Sequence, residues 1–80
     1  MITTLEQVIK PKGSTPGLWL IKNDKNDEII GQLEKYADSE HPWKLYEGTG
    51  ENRKFVKSFY RVDGGCKAAI DYLVSIKENG

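Results

Sequence analysis

The C-terminal third constrains the fold most. A strand-like apolar run at residues 54–60 leads through Asp63-Gly64-Gly65 into one amphipathic helix at residues 66–76. At about 100° per residue, Cys66, Ala69, Ile70, Leu73 and Ile76 share one arc, while Lys67, Asp71, Ser75 and Glu78 lie opposite. Asp63 stands at the N-cap or the position before it, and Asn79-Gly80 supplies a stop. No other segment combines the length and period of a core-organising helix. What precedes it therefore reads mainly as strands and turns.

Four strand-like runs fit that requirement, at residues 18–22, 28–36, 43–47 and 54–60. The loops between them are short and polar, which favours antiparallel neighbours, since a parallel crossover needs about a dozen residues. Gly31 interrupts the second run and marks a bulge or a close approach. Upstream, Pro11, Gly13, Pro16 and Gly17 impose a turn-rich connection. Residues 1–9 read either as a short helix capped by Thr3 or Thr4, or as an edge strand.

The expectation is one α+β domain over residues 1–80. It comprises an N-terminal segment and connection (1–17), a three- to four-stranded antiparallel meander (18–60) and a packed helix (64–77). Eighty residues lie near the lower limit for a single core, and two Trp, four Tyr and two Phe help to fill it. The strand runs are apolar on both faces, whereas one helix covers one face. The second face is left for the N-terminal segment, a partner or solvent.

One cysteine excludes an internal disulfide and a cysteine-rich zinc site. No apolar run approaches the roughly 18–20 residues of a membrane span, and the N-terminus lacks a basic-then-apolar signal pattern. A cytoplasmic location is expected. Formal net charge is zero, so no global field draws the chain to nucleic acid or membrane. The distribution is uneven, however: residues 24–40 carry a net of −4 and residues 44–61 a net of +3.

Catalysis finds little support. His41 is the lone histidine, in a polar loop before Pro42, and Cys66 faces inward on the helix arc with no partner base nearby in sequence. Asp24, Asp27 and Glu28 lack the glycine and spacing of a calcium loop. The glycine-containing loops at 13–17 and 48–50 lack the lysine and helix start of a phosphate cradle. No catalytic, metal or cofactor residue is expected, and no cofactor.

Phe59 followed by Ala68-Ala69-Ile70-Asp71-Tyr72-Leu73 resembles the end of the sheet-plus-helix DNA-binding domains of plant ethylene-response factors and phage-type integrases. That resemblance implies an antiparallel sheet reading the major groove, with Trp43 and Lys44 on its second strand and Arg53, Lys54 and Lys57 on its third. The family's first strand and arginine-rich face have no counterpart here. The chain also resembles double-stranded-RNA-binding domains in ending with an alanine-containing helix after a sheet. Where that family carries a basic cluster, this chain reads Asp63-Gly64-Gly65-Cys66-Lys67, and the comparison is set aside.

Two functional expectations result. The first is a small non-catalytic domain that binds a protein through an exposed sheet face or the acidic hairpin, in the style of phage or mobile-element accessory proteins. Its candidate contacts are Asp27, Glu28, Trp43 and Tyr46. The alternative is a sheet-based DNA or RNA reader using Lys44, Arg53, Lys54, Lys57 and Arg61, interleaved with aromatics. The domain is expected to be a monomer or a weak dimer formed by sheet-edge pairing.

Overall fold

A computed structural model describes residues 1–79. Five strands form one antiparallel sheet in sequence order: β1 (Thr3–Ile9), β2 (Gly17–Asn23), β3 (Ile29–Lys35), β4 (Trp43–Glu47) and β5 (Lys54–Phe59). A short 3-10 turn, Arg61–Asp63, leads into the helix α1 (Gly65–Asn79). The α+β meander with one C-terminal helix is thus present, with one strand more than the expected three to four. The additional strand is the N-terminal segment. It extends the sheet at its edge, so the capped helix at Thr3 or Thr4 does not form and the segment does not cover the second face.

The register sorts the side chains. Trp19, Leu33 and Leu45 form one cross-strand row, Ile21 and Gly31 the next, and Trp43 pairs with Phe59. α1 lies on this face, mainly over β4 and β5. Its inward arc is the one read from the sequence: Ala69 and Leu73 are buried, Cys66 and Ile70 half-buried. The core comprises Ile21, Ile30, Leu33, Leu45, Phe59, Ala69 and Leu73. Fully burying a side chain of this size stabilises by about 1.5–3 kcal/mol. Leu18, Leu20, Gln32, Tyr46 and Phe55 fall on the opposite face, which the helix leaves open, although Gln32 is buried there and accepts from the Thr49 hydroxyl at 3.0 Å.

Besides one at Val8 in β1, two bulges adjust this pattern. Ile21 pairs with Gly31 but Lys22 with Ile29, so Ile30 is the extra residue, and it is buried in the core. In β5, Leu45 pairs with Lys57 but Tyr46 with Phe55, leaving Val56 unpaired and half-buried against the core. Phe55 and Phe59 consequently lie on opposite faces. Gly31 is a close approach as well as a bulge neighbour: a Cβ there would sit 2.6 Å from Leu73 Cδ2 and 2.7 Å from the Tyr46 carbonyl oxygen.

At the helix start, Gly64 adopts φ 101° and Gly65 φ 55°. Asp63 belongs to the 3-10 turn, two residues before the first helical residue, and donates its N–H to the Tyr60 carbonyl. Gly80, expected as part of the stop, lies outside the described residues. Among the described residues, no helix is long and apolar enough to cross a membrane.

Candidate functional site

The ends of β2, β3 and β4 meet the start of α1 around a cleft of about 520 Å³. Trp19 and Trp43 form its inner wall, with ring centroids 4.9 Å apart and planes tilted by 57°. Two glycines make room for them. A Cβ at Gly17 would stand 2.6 Å from the Trp19 ring and 2.7 Å from Pro11 Cδ, and one at Gly65 would stand 3.4 Å from the Trp43 indole.

The loop after β3 supplies the opposite wall. Lys35 donates to the Tyr36 carbonyl at 2.7 Å and also to the Asp38 carbonyl, which ties the loop to the strand end. Tyr36 packs against His41 with centroids 4.8 Å apart and planes tilted by 46°. Asp38 accepts the backbone N–H of Glu40 at 3.0 Å and of His41 at 3.2 Å, and its carboxylate lies 2.8 Å from His41 Nδ1. The hydrogen bond with the His41 ring, helped by these N–H groups, holds the Asp38 carboxyl below the usual carboxylate range.

A lowered folded pKa means that Asp38 stabilises the loop fully above the ordinary carboxylate value, and that this is lost as pH falls through the lowered one. Carbon-detected NMR should therefore show Asp38 titrating below 3.8, with the Glu40 and His41 amides following it. Titration at or above that value would show that the bonds are not held in solution.

Charge at the cleft is mostly committed. Lys35 and Asp38 are engaged within the loop. Arg61 lines the cleft and is exposed; its carbonyl accepts the Gly64 N–H at 3.1 Å, but its guanidinium has no hydrogen-bond or ion-pair partner among the described residues. It lies just before the positive end of α1. Cys66 also lines the cleft, but burial pushes its thiol up and it makes no hydrogen bond with His41. The thiol is held neutral, the opposite of an activated nucleophile.

The residues singled out from sequence scatter around this geometry. Trp43 is in the cleft, whereas Tyr46 is half-buried on the open face, edge-on to Phe55 at 5.6 Å. Asp27 and Glu28 lie on the exposed β2–β3 turn, with Asp27 at φ 58°. The turn is built by asparagines: Asn23 and Asn26 side chains accept the N–H groups of Lys25 and Glu28. Asp24 accepts from the Thr4 hydroxyl.

The basic candidates do not converge either. Lys44 is on the open face opposite Glu34. Arg53 lies 5.3 Å over the Tyr46 ring and donates to the Gly50 carbonyl. Lys54 stands opposite Glu47 in the ladder, where the Glu47 carboxylate is bridged by Lys77 at 2.9 Å, and Lys57 sits over Phe59 and Tyr72 beside the helix. Arg61 alone reaches the cleft. Among the described residues no group of three His, Cys, Asp or Glu side chains converges as a metal site would need.

Pro11, Trp19, Tyr36 and Asp38 were not among the candidates read from the sequence. The one local signal was the spacing of Asp38 and His41 before Pro42. The cleft otherwise joins residues from six separate segments. No family model, no curated protein and no solved structure matches the chain.

Proposed function

We infer that the protein is a non-catalytic protein-binding domain whose ligand is a short extended segment of a partner chain seated in the aromatic cleft. The observation that carries this is the cleft itself: Trp19, Trp43 and Tyr36 around an open volume of about 520 Å³, with uncommitted Arg61 at its mouth. Aromatic-lined grooves take proline-rich or apolar peptide segments at low entropic cost. Arg61 and the helix start favour an acidic group beside that apolar segment. Nucleic acid is the weaker reading, because the basic residues lie on separate surfaces and Lys44 faces Glu34.

A tagged pull-down with and without nuclease tests this, using variants chosen to spare the core. Tyr36→Ala and Arg61→Glu are each expected to weaken capture of a nuclease-resistant protein at least tenfold, with melting temperatures nearly unchanged. Charge reversal at Asp27 and Glu28 is expected to leave capture intact. Capture lost at Asp27 and Glu28 but kept in the cleft variants would move the site to the hairpin. Nucleic acid in the eluate, with proteins lost on digestion, would replace the reading by the nucleic-acid one.

A further inference from the structure

β1 is the least protected element of the fold. Its one strand neighbour is β2, and its other edge meets solvent. Residues 4–9 are all exposed, and the apolar side chains among and beside them are conspicuous: Ile2 is 75%, Leu5 38% and Val8 44% exposed. Edge strands are ordinarily guarded by lysines, prolines, unpaired charges or bulges. The opposite edge, β5, carries Lys54 and Lys57. In β1 the one charge, Glu6, is neutralised by Lys22 at 2.7 Å. Its bulge lies at Val8, which leaves residues 3–7 unbroken.

Hydrogen bonding along β1 decides what can pair with it. Asp24 donates its backbone N–H to the Ile2 carbonyl at 2.9 Å, continuing the register in which Thr3 faces Asn23. Antiparallel ladders alternate, so Ile2, Thr4 and Glu6 turn their backbone groups toward β2. Thr3, Leu5 and Gln7 turn theirs outward.

We propose that this edge pairs with β1 of a second copy of the chain, antiparallel and centred on Leu5, joining two sheets into one. In that register Leu5 faces Leu5 and Thr3 faces Gln7 on either side, so outward groups meet outward groups in about six backbone hydrogen bonds. At the centre of that register the exposed Leu5 side chains of the two copies cover one another. Centring on Glu6 would oppose two carboxylates, and centring on Thr4 would set Ile2 against Glu6. The interface is isologous and closes at the dimer. Pairing of β1 with β5 would instead propagate as an open chain, against the two lysines of β5.

Sedimentation equilibrium of the full chain should show a monomer–dimer equilibrium and nothing larger. Leu5→Lys opposes two ammonium groups and removes the central apolar contact, so dimer affinity should fall roughly a hundredfold or more. Its far-UV spectrum should not change, because the Leu5 backbone groups take no part in pairing with β2. Register is read in a Cys66→Ser background. Leu5→Cys should give a disulfide-linked dimer, since opposed residues lie within disulfide reach, and Thr4→Cys should not.

A chain that stays monomeric at millimolar concentration overturns the proposal, whether the edge takes a strand from another protein or none. So does association that grows past the dimer. A dimer that survives Leu5→Lys, or that crosslinks no better through Leu5→Cys than through Thr4→Cys, overturns it as well.

Discussion

Replacing Leu73 by alanine is expected to remove about 2–5 kcal/mol of folding stability, the range for truncating a buried leucine. Leu73 is fully buried and is one of two apolar side chains that α1 places wholly in the core, the other being the small Ala69. Its branch also reaches across to Gly31, so it ties the helix to β3 as well as to the strands beneath. A domain of this size holds on the order of 5–10 kcal/mol in total. At roughly 4–8 °C per kcal/mol, the melting temperature should fall by about 8–40 °C. Urea titration should show the midpoint drop with little change in slope. Ile70→Ala, at a half-buried position on the same arc, should lose clearly less. A loss below about 1 kcal/mol for Leu73→Ala would mean that the helix is not anchored through this residue.

That helix was the most legible part of the chain, for a simple reason. Its burial follows a local period, and the residues that lie inward are those at helical spacing. The strands were legible as runs but not as faces. Strict alternation puts Phe55 and Phe59 on one side of β5, whereas the bulge at Val56 separates them, and a bulge depends on the neighbouring strand rather than on the run itself. β1 was ambiguous because almost nothing in it is buried; its strand conformation comes from hydrogen bonds to β2, which leave no hydrophobic signature.

The cleft was the least legible feature. Trp19, Tyr36, Trp43 and Arg61 come together through the order of the strands and the return of the chain to α1. No spacing in the sequence encodes that meeting. Gly17 was visible in the turn-rich connection and Gly65 in the lead-in to the helix, but their role against the two indoles depends on contacts across the fold.

Gly31→Ala tests the second close contact of the core, and here two opposing effects can be weighed. Alanine in a strand is ordinarily better than glycine, by about 0.5–1 kcal/mol, because glycine loses more backbone freedom on folding. At this position the added Cβ meets Leu73 Cδ2 at 2.6 Å and the Tyr46 carbonyl oxygen at 2.7 Å. A leucine in a packed core has few rotamers to retreat into, and the carbonyl belongs to the adjacent strand of the same sheet. Overpacking of this kind costs about 1–3 kcal/mol, so the steric effect exceeds the propensity gain and the variant should be less stable. Combining it with Leu73→Ala separates the two contacts. With the leucine branch gone, Gly31→Ala should destabilise less than it does in the parent, by a coupling of about 0.5–3 kcal/mol. A cost unchanged in that background would assign it to the Tyr46 carbonyl, and the glycine would then serve the spacing of β3 and β4 rather than the seat of the helix. A Gly31→Ala variant as stable as the parent would remove both contacts as constraints on this position.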